Sequence, residues 1–140
     1  VAVTVLRRTH AESLHPLHAA ILAGTVPLFL GALLNDVAYA LSYEVQWKNF
    51  ASWLIAGGLV FAGFAMLWAF IGLFRAGPRG WSAFFFFLLL ATWVLGFINA
   101  LVHAMDAWEA MPEALLLSAI VAALAIIATG FGFNALKREG

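Results

Sequence analysis

Few side chains in this sequence can do chemistry, and those that can are histidines, carboxylates and amides set among long apolar runs. Placed on a helix at 100° per residue, Thr92, Gly96, Asn99, His103 and Asp106 fall on one stripe within about 80° of arc. In an earlier segment His18, Thr25 and Asp36 share a face in the same way. Eighteen residues separate His18 from Asp36, five turns or about 27 Å of straight helix, so the two stand at opposite ends. Two polar clusters follow. Asp36 and Asn35 stand with Asn99, His103 and Asp106 in one, and His15 and His18, joined by His10, form the other.

A histidine between an amide and a carboxylate can bind a quinone head group, relay a proton or ligate a metal. The same residues can instead pin one helix to another, with Asp36 accepting from His103 or Asn99 and Asp106 solvated. His15-Pro-Leu-His18 reads as a helix start, with Pro16 in the first turn. Its two histidines can present two ligands from one face or hydrogen-bond locally at headgroup level. A quinone is compatible with these clusters and haem is disfavoured. Bis-histidine ligation needs two histidines at one depth on facing helices, and His103 lies far from the others. Haem would need Met66, Met105 or Met111, or a second subunit's histidine, as its other ligand. No metal site and no catalytic group of the chain's own is expected. Cysteine is absent, which excludes thiolate chemistry and cysteine-held zinc. No glycine-rich phosphate loop occurs, and Ser118 has no histidine near it in sequence.

The elements that must position these groups are set by the solvent. The chain is 65% hydrophobic and 10% charged, against roughly 25% charged in a soluble domain, too few polar groups to face water all round. Lipid is therefore its main solvent. The expected fold is all-α, a four-transmembrane-helix bundle forming one domain over 1–140, with spans at about 17–41, 50–74, 81–103 and 114–133. Pro27 should bend the first span. Val1 to His10 contain no long apolar core, so the spans themselves should act as insertion signals. Small pairs four apart (Ala20/Gly24, Gly58/Ala62, Gly96/Ala100, Ala119/Ala123) suit close helix packing. Trp47, Trp53, Trp81 and Trp108, with Tyr39 and Tyr43, read as interfacial anchors.

Four spans put both termini on one side, with Arg7, Arg8, Arg75, Arg79, Lys137 and Arg138. Only Lys48 is basic on the other side, which holds Asp36, Glu44, Asp106, Glu109 and Glu113. The asymmetry makes the termini cytoplasmic, N-in and C-in, in a bacterial inner membrane. Zero net charge argues against a nucleic-acid partner. The expected partners are the lipid bilayer and other membrane or periplasmic subunits.

Three segments carry a resemblance: His15-Pro-Leu-His18, the stretch PLFLGALLNDVAYALSYEVQWKNFASWLIAGGLVFAGFA, and NALVHAMDAWEAMPEALLLSAIV. On these the chain resembles a family of bacterial inner-membrane proteins catalogued as a domain of unknown function. The resemblance implies a four-helix membrane protein, encoded in many cases beside periplasmic quinoprotein sugar dehydrogenases and c-type cytochromes. Gly72, where such relatives often carry an acidic residue, and Met105, where a basic one is common, are departures that weaken a proton-relay or charge-pair role. The leading expectation is a small subunit of a redox-linked complex that docks a periplasmic electron donor and contacts quinone near His103 and Asp36. A non-catalytic accessory subunit and a small transporter or proton conduit are the alternatives. The topology has a direct check: alkaline phosphatase fused after Met105 should be active, and the same fusion after Asn134 inactive.

Overall fold

The computed structural model describes residues 15–76 and 80–139, with the backbone alone at 76 and 135–139. Arg7, Arg8, His10, Glu12 and Arg79 lie outside the described residues, as do the side chains of Lys137, Arg138 and Glu139. Helix α1 spans Pro16–Ser42 and starts on the expected signal. His15 is the N-cap, its Nδ1 accepting the Leu17 N–H at 3.1 Å. Pro16 takes the first helical position, where its missing N–H would have had no partner inside the helix. Pro27 sits inside the same helix.

Only Tyr43 and Glu44 separate α1 from α2, Val45–Ala76. Tyr43 makes that reversal in the left-handed conformation (φ 59°), its N–H bonded to the Tyr39 carbonyl at 2.7 Å. Because the turn is so tight, α2 begins five residues before the apolar run alone suggests. Helix α3 covers Gly80–His103, α4 is the short Ala107–Ala110, and α5 covers Glu113–Glu139. Four of these helices are long and apolar enough to cross a membrane, matching the four expected spans.

The long helices alternate in direction and pack in a ring: α1 on α2, α2 on α3, α3 on α5, and α5 on α1. The diagonal pairs face each other across the bundle axis. The His15 end of α1 thus lies with Arg75 of α2 and the start of α3, while Tyr43, His103 and Glu113 gather at the opposite end. Large apolar side chains face outward all round, among them Leu34, Phe64, Phe87 and Leu116. Lipid covers such a surface without penalty.

Inside, the core is layered. Leu22, Ala65, Phe85, Leu89 and Ala128 fill the His18 end, and Phe29 packs with Ala62, Val121, Ala122 and Ala125 at mid-height. Beyond it lie Ala32, Ala51 and Ile55. Phe29 is 1% exposed, and glycine makes its room. A Cβ at Gly58 would stand 2.6–2.9 Å from three atoms of the Phe29 ring, and one at Gly96 would stand 3.0 Å from Leu59 Cδ2 of α2. The small pairs Gly58/Ala62 and Gly96/Ala100 therefore do bring helices close. Ala119 and Ala123 instead face outward, because α5 buries Ser118, Val121, Ala122 and Ala125.

Two glycine substitutions should differ in sign. Gly58→Ala forces the Phe29 ring to move, and overpacking of this kind costs about 1–3 kcal/mol. Gly72→Ala meets nothing within 4 Å and should gain up to about 1 kcal/mol of helix propensity. Denaturant unfolding followed by circular dichroism in detergent would read both.

Candidate functional site

A carboxylate on the apolar face of a spanning helix needs partners from other helices, since water cannot supply them. Asp36, three residues beyond the Phe29 to Leu33 stretch of α1, is fully buried. His103 reaches it from α3 across the bundle diagonal, with Nε2 2.8 Å from Oδ1 and 3.1 Å from Oδ2. Ser118 of α5 donates its hydroxyl hydrogen to Oδ2. Asn99, one turn before His103, donates Nδ2–H to Ser118 Oγ at 3.0 Å. The His103 Nδ1 lies 2.8 Å from the Asn99 backbone oxygen, which closes the circuit.

The proton count follows from the acceptors. A backbone carbonyl only accepts, so Nδ1 of His103 carries a hydrogen. One further proton lies between Nε2 and the carboxyl group. Whether the pair is written as imidazolium with carboxylate or as imidazole with carboxylic acid, its total charge is zero. A neutral unit is one that apolar surroundings tolerate. Among the described residues this is the one ion pair, and neither side chain has exposed surface.

The arrangement limits the chemistry. Ser118 faces the carboxylate rather than the imidazole, so the aspartate stands between serine and histidine. A nucleophilic serine needs the base beside it. Both histidine nitrogens are engaged within the bundle, which leaves neither for a quinone oxygen. Asn99 Oδ1 is buried without a partner and is the free acceptor of the group. The second helix joins the same end through Lys48, 9% exposed, whose Nζ donates to the Met105 backbone oxygen just beyond α3. A cation at the carboxyl end of a helix is favoured by the helix dipole.

Of the residues singled out in the sequence, Asp36, Asn99 and His103 meet. Asp106 does not join them: it is exposed at the N-cap position of α4, and its side chain makes no capping bond. The chain has already left the α3 axis at Ala104, which turns Asp106 away from the stripe. Asn35 bonds the Gly31 carbonyl of its own helix at 2.7 Å. Ser118 escaped the sequence reading as a partner because a lone serine in an apolar helix carries no signal of its own. Lys48 was counted only as an exception in the charge pattern.

At the opposite end, His15 is exposed and His18 buried. His18 stacks on Trp68 of α2 with ring centres 5.2 Å apart and 8° between planes, and His15 lies 5.1 Å from the same indole. Trp68 was also missed, since nothing in the spacing ties it to the histidines. The two ends are not linked by polar groups. Thr25 and Thr92 bond carbonyls of their own helices, and the Phe29 layer lies between the clusters.

Removing one member of the buried pair leaves the other unpaired. His103→Ala and Asp36→Ala should each cost roughly 3–5 kcal/mol. The double replacement His103→Leu with Asp36→Leu should cost far less than the two single Leu changes combined, a coupling readable from a double-mutant cycle in detergent.

The family model described as "Predicted membrane protein (DUF2231)" matches residues 14–140. No curated protein and no solved structure matches the chain. A match that takes in all four spanning helices, the Asp36 network and the His15–His18 segment places this chain in the DUF2231 family of membrane proteins, to which it belongs.

Proposed function

We propose that the protein is a non-catalytic membrane subunit, a rigid four-helix frame that holds a position in a larger assembly and offers its His103 end to a partner. The observation that carries this reading is the closure of the Asp36 network. Its ionisable members have no exposed surface, and each bond they make ties one helix of the bundle to another or closes the ring. A group used to bind a mobile substrate would keep a donor or acceptor turned to an opening.

The same end supplies a docking rim. Glu44, Asp106, Glu109 and Glu113 are exposed there, while the nearby Lys48 is buried and bonded to a carbonyl. An acidic rim favours encounter with a basic domain and makes that encounter salt-dependent. In the orientation that the arginines suggest, this end faces the periplasm, and a periplasmic electron donor of basic charge is the partner that fits. Quinone contact at Asp36 and His103 has less support, because both imidazole nitrogens are engaged. A proton conduit has least, because Phe29 and its neighbours separate the two polar clusters.

The reading is tested in native membranes by mild-detergent purification of the wild type and of a rim variant, Asp106→Lys with Glu109→Lys and Glu113→Lys. The wild type should travel in an assembly larger than itself that dissociates as salt is raised. The rim variant should lose it at low salt while keeping its own thermal stability. A wild-type chain that migrates alone, or an assembly indifferent to the three reversals, would contradict the proposal.

A further inference from the structure

The connection between α3 and α5 lies across the end of the bundle rather than beside it. Near its start the Met105 carbonyl accepts a hydrogen bond from Lys48 of α2, and at its far end the chain enters α5 at Glu113. Helices α2 and α5 stand on a diagonal of the ring, so the segment between these two points passes over the bundle end. Ala110 of α4 is fully buried, and that face of the short helix is therefore pressed onto the helices beneath. Trp108 stands about 200° around from Ala110 and is 83% exposed. Its indole projects along the bundle axis, away from the core. Trp53, 79% exposed, differs in place: it stands on the flank of α2, about two turns from that helix's start, where lipid covers it.

The direction of the indole is fixed by its support. The Glu109 and Ala110 N–H groups both bond the Asp106 carbonyl at 2.9 Å, and the Lys48 bond ties the segment to α2. A side chain carried on a fixed backbone loses less freedom on binding. Around it, every exposed charged side chain described at this end is acidic: Glu44, Asp106, Glu109 and Glu113. Asp106 and Glu109 bracket the indole in sequence. Carboxylates in that position oppose approach to anionic head groups and favour a surface that carries lysine or arginine.

An apolar centre inside a charged rim is the usual anatomy of a protein interface, and tryptophan is among the residues that carry most of its energy. We propose that Trp108 is the apolar anchor of the acidic rim, and that it fits a protein surface presenting an apolar pocket bordered by lysine and arginine. This rests on the docking role proposed above, to which it adds the contact that holds a partner once charge has steered it in. The rim sets encounter and salt dependence, and the indole sets how long the partner stays.

Two measurements on the full chain test it. In nanodiscs of phosphatidylcholine brominated along the acyl chain, the difference between wild-type and Trp108→Phe emission isolates this indole. That emission should be of an indole in water, unquenched by bromine. In native membranes, mild-detergent purification of Trp108→Ala should show an assembly held about thirtyfold more weakly than in the wild type at every salt concentration. The steepness of its salt dependence and the chain's own thermal stability should both stay unchanged. Quenching by bromine would overturn the anchor by assigning Trp108 to lipid. An assembly that Asp106→Lys with Glu109→Lys and Glu113→Lys disrupts, but Trp108→Ala leaves intact, would overturn the anchor while the docking role stands. A wild-type chain that migrates alone would overturn both.

Discussion

Hydrocarbon offers a carboxylate no partner, and the whole arrangement of this bundle follows from where it places Asp36. A charged group on a single spanning helix is expensive; the same group shared among three helices becomes a fixed point. Asp36 receives His103 from the opposite helix and Ser118 from the adjacent one, and Asn99 braces both. Intramembrane hydrogen bonds are individually modest, about 0.6 kcal/mol on average. Their larger effect here is on register: sliding α3 or α5 by one turn would bury three unpaired polar groups at once.

That fixed point depends on close approach lower in the bundle. Phe29 lies two turns from Asp36 on the same face of α1, and its ring occupies space that Gly58 leaves open. Without Gly58, α2 could not approach α1 as closely at this level, and Gly96 admits Leu59 of α2 against α3 in the same way. The ring also divides the interior. Polar groups above and below it bond their own helices, their own cluster or, for Thr129, the Leu22 carbonyl of α1, so the chain has two separate polar ends rather than a path between them. Each end keeps one buried polar atom without a partner, Asn99 Oδ1 beside the Asp36 ring of bonds and His18 Nε2 at the other end.

Much of this was legible in the residues. Apolar runs of spanning length dictated the four helices, and His15 with Pro16 marked the first start. Asn99 and His103, at the end of their stripe that shares the depth of Asp36, pointed to the pairing of α1 with α3. What remained hidden depended on tertiary geometry. Ser118 became a partner only when α5 turned that face inward, and the same rotation put Ala119 and Ala123 against lipid. Asp106 belongs to the stripe by spacing but not in space, because the helix ends at His103. Lys48 is basic on the acidic side of the charge pattern, and its use as a helix-end donor follows from a contact 57 residues distant. Periodicity finds faces; it does not say which neighbour each face meets.

The His103 imidazole is sealed, with both nitrogens held inside the protein. The exchange rate of its ring N–H protons with bulk water, measured by NMR on 15N-histidine protein in nanodiscs beside that of the exposed His15, tests this most directly. His103 should exchange orders of magnitude more slowly than His15. Equal rates would mean that water reaches the carboxylate, and that Asp36 does not hold the bundle together.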